Sequence, residues 1–294
     1  MQPRIVVTIP AYNEEKTIGQ VVTSIKEVMN KHRHNYRILI VDDGSTDKTV
    51  AIARKLGAMV HSHPKNYGLA ETFNTELDIA VQEGFDIIVH FDADGQYLAK
   101  DIPRLIEVFK QGNDLVLGSR FKGKIEKMSL LKRMGNKAFS RVVSNICGLK
   151  ISDAQTGFRV FSKEVARIRV ASSYTYTQEQ IIRAVKAKFK IAEVPVYFAR
   201  RKDKSRLMRN PFHFAASAGV NLLRTYRDYQ PLKFFGWIGG ISFSVGFIVG
   251  LVLLYFYITT GTILGRIPTA ILSVMFILVG MQIILFGFLA DMKR

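Results

Sequence analysis

Short apolar runs alternate with longer stretches of helical periodicity through the first half of the chain. Five runs rich in β-branched and aliphatic residues have the length of strands: residues 4–9, 36–41, 59–61, 87–91 and 115–117. Between them lie stretches with a helical pattern: residues 14–30, 51–56, 65–82 and 102–110. Because strand and helix alternate four times, the pattern predicts an α/β fold with a mostly parallel, doubly wound sheet.

Three of the apolar runs end in acidic or amide residues. These polar ends are residues 10–14, 42–45 and 92–96. In a doubly wound sheet the carboxyl ends of neighbouring strands form one crevice, where ligands bind. Carboxylates, glycines and a divalent ion in such a crevice suit a nucleotide diphosphate. The sequence contains neither a Gly-x-Gly-x-x-Gly pattern nor a Walker loop, which counts against a dinucleotide or ATP site.

The run that ends at Asp92 carries the strongest candidate chemistry. Asp92 and Asp94 are two residues apart, so both carboxylates can converge on one hard cation, and the Gln96 amide oxygen follows. Oxygen ligands of this kind suit Mg²⁺ or Mn²⁺, ions that usually bridge a substrate's phosphates. A solvated acidic turn after a strand is the alternative. At the first strand end, Asn13 is expected to cap a helix whose first turn begins with Glu14.

After Arg120 the alternation of strand and helix breaks, and residues 129–146 have an amphipathic helical pattern. Basic residues recur on one face of this stretch: Arg133, Lys137 and Arg141. Apolar residues line another face: Leu131, Met134, Ala138 and Val142. Such a helix either lies on a membrane surface or has an ordinary solvated face. Further on, the sequence predicts a helix over residues 179–188 and a strand over residues 191–197, near a sheet edge because Pro195 lies inside it.

Two long stretches without a charged residue dominate the C-terminal part, residues 234–265 and 267–290. Each exceeds the ~20 apolar residues needed to cross a bilayer, so together they predict a hairpin of two transmembrane helices. Before the hairpin, six of the ten residues 200–209 are basic, and a second amphipathic stretch covers residues 212–226. Since Lys and Arg concentrate at the cytoplasmic ends of membrane helices, both ends of the hairpin are expected in the cytoplasm, with residues 260–268 outside.

Small residues mark one stripe of the first transmembrane stretch: Gly239, Gly246 and Gly250. Small residues let membrane helices approach closely, so this stripe is expected to pack against another helix. The transmembrane helices could also join copies of the chain in a homo-oligomer. The predicted organisation is a catalytic domain over residues 1–205, a juxtamembrane amphipathic helix over residues 206–232, and the transmembrane hairpin over residues 233–294.

The net charge of the chain limits the classes of binding partner that can be expected. The chain has 42 Lys and Arg against 24 Asp and Glu, a net charge of +18. Such an excess favours nucleic acid, anionic membranes or phosphorylated ligands, and the hairpin selects the membrane, so we expect no nucleic-acid partner. Cys147 is the single cysteine, which excludes an internal disulfide and fits a reducing compartment. Residues 4–9 are too short for a cleavable signal peptide and are expected to form a strand.

Eight short motifs follow one another along the chain. They are Ile9-Pro10-Ala11-Tyr12-Asn13-Glu14, Val41-Asp42-Asp43-Gly44-Ser45, Asn66-Tyr67-Gly68-Leu69, Asp92-Ala93-Asp94-Gly95-Gln96, Gly118-Ser119-Arg120, Thr156-Gly157-Phe158-Arg159, Glu193-Val194-Pro195-Val196 and the Arg-rich stretch ending at Ser205. In this order they resemble family 2 glycosyltransferases of the GT-A fold, and within them the dolichyl- or polyprenyl-phosphate sugar synthases. The resemblance covers about residues 4–210. It departs at Asp203, where the family pattern usually carries a glycine.

The resemblance implies a site, residue by residue. The nucleotide sugar would be held by Pro10, Ala11, Tyr12, Asn13, Glu14, Asp42, Gly68, Asp92, Ala93 and Asp94. The metal, Mg²⁺ or Mn²⁺, would be held by Asp92, Asp94 and Gln96. Because a phosphate acceptor needs cations to bind and orient it, the candidates for binding the acceptor phosphate are Arg120, Arg133, Arg200, Lys204 and Ser205. The catalytic residues would be Asp94, Arg120 and Glu179, with Glu179 either on the acceptor side or in a structural helix role.

The acceptor decides which chemistry is needed. A lipid phosphate needs no general base, because its second pKa near 6 leaves it largely a dianion at neutral pH. We therefore expect an inverting transfer from UDP-glucose, UDP-N-acetylglucosamine or GDP-mannose to a dolichyl or polyprenyl phosphate. The enzyme would be a multi-pass protein of the cell membrane or an endoplasmic-reticulum-type membrane, with its catalytic domain in the cytoplasm.

Two alternatives stay open. One is a membrane glycosyltransferase that uses a hydroxyl acceptor on a glycolipid or polysaccharide, which needs a general base near Glu179. The other is a non-enzymatic, membrane-tethered module that binds sugar nucleotides. The intact acidic strand ends count against the second alternative.

Overall fold

The computed structural model describes residues 3–170, 175–200 and 211–292, and the chain divides into two compact units, Met1–Gly219 and Val220–Arg294. The strands are β1 (Ile5–Ala11), β2 (Tyr36–Asp42), β3 (Met59–Ser62), β4 (Ile87–His90), β5 (Leu115–Ile125), β6 (Arg159–Ser162) and β7 (Ile191–Phe198). The helices are α1 (Ile18–Lys31), α2 (Thr49–Lys55), α3 (Leu69–Gln82), α4 (Ile102–Lys110), α5 (Leu130–Cys147), α6 (Lys163–Ala166), α7 (Tyr176–Lys186), α8 (Pro211–Tyr229), α9 (Pro231–Thr260) and α10 (Ile267–Met292).

The first unit is built on one seven-stranded sheet with the order β3-β2-β1-β4-β6-β5-β7. Strands β3, β2, β1 and β4 are parallel to one another, and β5 is parallel to β7, whereas β6 runs antiparallel to both β4 and β5. The mostly parallel α/β sheet predicted from the alternation is therefore confirmed. The antiparallel β6 gives the sheet its mixed character, which the alternation did not predict.

Helices cover both faces of the sheet, so its central strands are buried on both sides. All seven residues of β1 are buried, as expected for a parallel strand between two helical layers. On one face Ile5, Val7 and Ile9 pack in the main apolar core with residues of α1 and α4. The opposite face is more polar: Thr8 of β1 donates to Glu76 of α3 at 2.7 Å.

Two element boundaries differ from prediction for reasons visible in the hydrogen bonds. Helix α1 begins at Ile18, and Asn13 does not cap it, because Asn13 adopts a left-handed φ of 54° and its side chain accepts from the Thr46 amide at 2.8 Å. The prediction that Asn13 is a helix cap was wrong. Strand β5 continues to Ile125, well past the predicted residue 117, because it keeps pairing with β7 across an irregularity between Ser119 and Lys124.

The second unit contains two helices, α9 and α10, that are long and apolar enough to cross a membrane. They pack against each other through small residues. A Cβ at Gly239 would come within 2.5 Å of the Gly280 carbonyl oxygen, and one at Gly246 within 2.7 Å of the Ser273 carbonyl oxygen. The Ser273 hydroxyl in turn donates to the Gly246 carbonyl at 2.7 Å. The predicted glycine stripe is therefore the contact surface between these two helices.

Candidate active site

The three acidic strand ends lie side by side. Strands β2, β1 and β4 are adjacent and parallel, and Ala11 pairs with Asp42 across β1 and β2. Thr8 pairs with His90 at the end of β4, two residues before Asp92. The carboxyl ends of all three strands thus open at one edge of the sheet, as the crevice argument requires.

The loop after β1 is fastened to the loop after β2. The Asn13 amide donates to the Ser45 hydroxyl at 2.8 Å, and the Ser45 amide donates to the Asp42 carboxylate at 3.2 Å. The Glu14 amide donates to the Thr49 hydroxyl at 2.8 Å. Asn13 and Asp42 therefore take part in the hydrogen bonds that join the two loops at this edge of the sheet.

Asp43 organises a third loop, and sequence reasoning had not assigned it a role. Its carboxylate accepts from the amides of Tyr67 and Gly68 at 2.8 and 2.9 Å, and it lies 2.9 Å from His63 Nδ1. Gly44, with φ of 77°, packs so closely on this loop that a Cβ would lie 2.7 Å from the Lys65 carbonyl carbon. Gly68 is thereby held at the crevice edge. The doublet of acids ending β2 was the available signal, since neighbouring side chains on a strand point to opposite faces.

The remaining residues predicted to hold the nucleotide sugar differ in what they can offer. Pro10 and Ala11 are buried within β1, and Ala93 is buried in the turn after β4, so they can contribute backbone groups and shape. Tyr12 is 40% exposed, and Tyr67 on the neighbouring loop is 48% exposed. Exposed rings beside buried carboxylates give this edge flat surfaces on which a base can stack.

The predicted metal ligands lie on one turn. The Gln96 amide donates to Asp94 Oδ1 at 3.0 Å, and Gln96 Nε2 donates to the Ala199 carbonyl at 3.1 Å. The side-chain nitrogen of Gln96 thus donates to the backbone, and Oε1 is the atom that could bind a metal. Gly157 backs the Asp92 carboxylate, because a Cβ there would lie 2.5 Å from Asp92 Oδ1.

The electrostatics of the turn fit a divalent cation. Burial, and next the neighbouring Asp94 carboxylate, raise the pKa of Asp92 to about 6, so a second negative charge is poorly tolerated without a cation. The described part of the chain has no cluster of three or more His, Cys, Asp or Glu side chains that could bind a metal. Two carboxylates and an amide oxygen suit Mg²⁺ or Mn²⁺, which can complete its coordination with waters and substrate phosphate oxygens.

Arg159, the last residue of the Thr156-Gly157-Phe158-Arg159 motif, supports the turn beside Asp92. It is fully buried and pairs across the sheet with His90. Its guanidinium donates to Gln180 Oε1 at 2.7 Å and to the carbonyl of Thr156. The motif arginine therefore holds the backbone that precedes Gly157, and Gly157 itself is the part that touches Asp92.

The cations predicted to bind the acceptor phosphate come from adjacent elements. Arg120 lies in β5 and is paired with Asp153, with Nε–Oδ2 and Nη2–Oδ1 both at 2.7 Å. Arg133 is exposed on α5. Arg200 is exposed just after β7, where its amide donates to Glu126 Oε2 at 2.6 Å. Lys204 and Ser205 lie outside the described residues, as do Asp203 and most of the basic stretch.

Glu179, the remaining predicted catalytic residue, is buried in α7. Its Oε1 lies 2.7 Å from Arg183 Nη2, one turn further along the same helix. The prediction left a chemical and a structural role open. The ion pair within α7 is what a structural role would produce.

Helix α5 turns its apolar face outward. Its buried side chains are Asn136, Phe139, Ser140 and Val143, whereas Leu130 is 77% and Met134 69% exposed. The predicted apolar face, which includes Leu131 and Met134, therefore points away from the core of this unit. Apart from Leu149 just after α5, the other large apolar side chains exposed in the described part of this unit are Tyr12, Tyr67 and Leu69 at the crevice.

The model of the family described as Glycosyl transferase family 2 matches residues 6–168. The chain belongs to glycosyl transferase family 2. A relative of this glycosyltransferase, the UDP-N-acetylglucosamine–dolichyl-phosphate N-acetylglucosaminyltransferase of Methanococcus voltae, is 35% identical over 217 residues, covering 65% of this chain and 84% of the relative. The dolichyl-phosphate hexose transferase of Haloferax volcanii is 30% identical over 222 residues, covering 75% of this chain and 92% of the relative.

Solved structures agree on the fold of this family 2 glycosyltransferase. Glucosyl-3-phosphoglycerate synthase from Mycobacterium tuberculosis, in a crystal structure with Mn²⁺, UDP and glucosyl-3-phosphoglycerate, superposes with a TM-score of 0.60 at 20% identity. The match covers 75% of this chain and 80% of that one. The GT-A type fold predicted from the motifs is thus confirmed. Family membership and these relatives also identify the chain as an enzyme, so the alternative of a non-enzymatic module is wrong.

Proposed function

We propose that this glycosyltransferase moves a sugar, with inversion, from a nucleotide sugar to a dolichyl or other polyprenyl phosphate at the cytoplasmic face of a membrane. The proposal rests on two features that occur in the same unit. One is the acidic crevice at the strand ends, and the other is helix α5, whose exposed face carries Leu130 and Met134 beside the cation Arg133. The relatives named as dolichyl-phosphate transferases support the acceptor class.

On the donor side, Asp42 and the loops after β1 and β2 would hold the nucleoside, and Asp92, Asp94 and Gln96 would hold the metal. The bound Mg²⁺ or Mn²⁺ would neutralise charge on the diphosphate as it leaves. The structure of similar fold that contains Mn²⁺ and UDP supports the pairing of a divalent ion with a nucleoside diphosphate. The raised pKa of Asp92, caused by burial and by Asp94, is the feature of this chain that such a cation would relieve.

On the acceptor side, a phosphate oxygen of the lipid would attack the anomeric carbon while the bond from that carbon to the diphosphate breaks. The electron pair of that bond leaves with the nucleoside diphosphate, and no proton needs to move, because the phosphate is largely ionised at neutral pH. The work left to the protein is orientation by cations. Arg120, Arg133 and Arg200 are the candidates within the described residues, since guanidinium groups bind phosphate through paired N–H donors.

The membrane would supply the acceptor. Drawing each CH₂ of the lipid chain into water costs about 0.8 kcal/mol, so the site must come to the headgroup level. Helix α5, with apolar side chains beside cations, is suited to lie on an anionic surface. Helices α9 and α10 would anchor the chain as a hairpin with both ends in the cytoplasm, and they could also join copies of it.

The deciding experiment uses the full-length protein in lipid nanodiscs with labelled UDP-glucose, UDP-N-acetylglucosamine or GDP-mannose. Polyprenyl phosphate should be glycosylated with one of these donors, and polyprenol without phosphate should not. The Asp94→Asn variant should lose most of the activity while keeping the melting temperature, and a chelator should have the same effect on the native enzyme. If polyprenol or a soluble sugar is glycosylated as readily as the lipid phosphate, a hydroxyl acceptor replaces this proposal.

A further inference from the structure

Asp153 encloses one edge of the Arg120 guanidinium. Besides the two side-chain bonds at 2.7 Å, the Arg120 amide donates to Asp153 Oδ2 at 3.0 Å, so a single carboxylate fixes both ends of this residue. Asp153 is fully buried, and Arg120 is 5% exposed. A flat aromatic surface completes the arrangement, since the guanidinium carbon lies 5.2 Å from the centre of the Phe198 ring.

A second carboxylate fixes the backbone that carries Asp153. Glu193 Oε1, from β7, accepts from the Ser152 amide at 2.8 Å, the Ser152 hydroxyl at 2.9 Å and the Asp153 amide at 3.2 Å. Its other oxygen pairs with Lys122 Nζ at 2.8 Å. The turn before the Thr156-Gly157 motif is thus tied to two strands, and Asp153 has little freedom to follow Arg120 if that side chain moves.

Helix α5 contributes a third constraint. With its amide turned so that both atoms find partners, Asn136 accepts from Arg120 Nη2 at 3.2 Å. Nε and Nη2 are then engaged by Asp153 and Asn136. Among the described residues no group accepts from Nη1, and Nη1 is not one of the fully buried polar atoms that lack a partner. The N–H groups of Nη1 are therefore the ones this guanidinium can still offer to a ligand.

We propose that Asp153 is a positioning residue for acceptor binding: it orients Arg120 so that Nη1 presents its two N–H donors to the phosphate of the lipid. This inference rests on the proposed function, because it names the acceptor's phosphate as the ligand. A free arginine side chain loses rotamer entropy when it is ordered against a ligand. A guanidinium that Asp153 and Asn136 already hold loses little further rotamer entropy when the phosphate binds, so the phosphate meets a donor that is already in position.

The test is the split between two Michaelis constants. Asp153→Asn replaces one acceptor oxygen by an amide that faces the N–H groups of Arg120, so it should raise the Michaelis constant for polyprenyl phosphate about tenfold or more. The constant for the sugar nucleotide should stay within about twofold, because Asp153 contacts no predicted donor residue. Asp114→Asn is the matched control: it removes the same charge just before β5, where the Asp114 carboxylate accepts from the Lys190 amide at 2.8 Å, and it should change neither constant.

A double-mutant cycle separates orientation of Arg120 from general stability. If Asp153 acts through Arg120, adding Asp153→Asn to Arg120→Lys should cost little beyond Arg120→Lys alone. Additive effects, or an equal rise in both Michaelis constants, would overturn the inference. If Asp153→Asn does not fold, Glu193→Gln is used instead, since it keeps an acceptor for the turn but loses the ion pair with Lys122. This variant must also raise the Michaelis constant for polyprenyl phosphate and leave that for the sugar nucleotide unchanged, with a smaller rise than Asp153→Asn.

The proposed function and the role of Asp153 can be overturned separately. A native enzyme that ignores lipid phosphate overturns the proposed function and this inference together. A native enzyme that uses it, combined with an Asp153→Asn variant whose constant for polyprenyl phosphate is unchanged, overturns the role of Asp153 alone.

Discussion

Gln96 and Ala199 are joined by two hydrogen bonds. The Ala199 amide donates to the Gln96 backbone carbonyl at 2.8 Å, and Gln96 Nε2 donates back to the Ala199 carbonyl at 3.1 Å. An isolated β-bridge between Tyr97 and Phe198 lies next to them. The acidic turn after β4 is therefore tied to the residue that precedes Arg200, so the proposed metal site and the start of the basic stretch form one connected piece.

This connection predicts that Gln96 has two separable roles. Gln96→Glu keeps an oxygen for the metal but cannot donate to Ala199, so it should raise the Michaelis constant for polyprenyl phosphate by about three- to tenfold, the value of one lost hydrogen bond. The metal concentration for half-maximal activity should change less. Gln96→Ala should raise both the Michaelis constant for polyprenyl phosphate and the metal concentration for half-maximal activity. Gln111→Glu, the same change at an exposed helix end, serves as the control, and a Gln96→Glu enzyme with native constants would contradict the coupling.

Gly157→Ala is predicted to damage the metal site without replacing any of the predicted metal ligands. The new Cβ would lie 2.5 Å from Asp92 Oδ1, so either the carboxylate or the backbone must move. We expect a rise of about tenfold or more in the Mn²⁺ or Mg²⁺ concentration needed for half-maximal activity, because ligand positions must hold within a few tenths of an ångström. Gly135→Ala, in a helix where a Cβ meets nothing within 4 Å, is the control. A Gly157→Ala enzyme with a native metal titration would contradict the assigned contact.

The sequence predicted the parts of the site that lie on single strands. Strand ends carry their own signals, acids and glycines after an apolar run, and the mostly parallel sheet follows from the alternation of strand and helix, whereas the order of the strands does not. The missing parts are contacts between segments distant in the chain. Nothing local in the sequence tells that Asp43 holds Tyr67 and Gly68, or that Asp153 holds Arg120, because each residue also fits an ordinary turn.

Helix α5 illustrates a different limit. The residue pattern shows more than one face and left open whether the helix lies on a membrane surface or has an ordinary solvated face. The buried face is mixed: Phe139 and Val143 are buried beside Asn136 and Ser140, and Ser140 Oγ accepts from the Ala154 amide at 3.0 Å. The side of the helix that meets the core therefore depends on partners outside the helix, which the helical pattern does not reveal.

The raised pKa of Asp92 predicts a pH-dependent effect of the metal. Because burial and Asp94 raise this pKa from 3.8 to about 6, the native metal-free protein holds a proton that the unfolded chain has already lost. Stability should therefore fall as pH rises from about 4 to 6, by up to about 3 kcal/mol from this group, and added Mn²⁺ should restore it above pH 6. Melting temperatures with and without Mn²⁺ across this range measure the effect, and Asp92→Asn should remove it. A melting curve independent of metal at pH 7 would contradict this prediction.

Charge reversal on α5 is predicted to weaken use of the lipid acceptor selectively. Arg133→Glu should raise the Michaelis constant for polyprenyl phosphate about tenfold or more while leaving that for the sugar nucleotide within about twofold, since the exposed Arg133 side chain makes no hydrogen bond or ion pair with the predicted donor loops in the described part of the chain. Met134→Glu should act in the same direction by opposing contact with an anionic surface. Arg104→Glu, the same reversal on the exposed face of α4, is the control. If Arg133→Glu and Arg104→Glu raise the Michaelis constant for polyprenyl phosphate equally, the effect comes from the net charge of the protein and not from the position of Arg133.

The predicted topology of the hairpin implies that the loop between α9 and α10 can be labelled from outside the cell and that the end of α10 cannot. Cys147 is replaced first, and single cysteines are then introduced at Thr262, between α9 and α10, and at Asp291, near the end of α10. Thr262→Cys should react with a membrane-impermeant maleimide in intact cells, and Asp291→Cys should react only after permeabilisation, because the basic excess lies on the side of Asp291. Both sites should react after solubilisation, which controls for accessibility. The reverse pattern would put the acidic crevice on the side away from cytosolic sugar nucleotides and would contradict the proposed orientation.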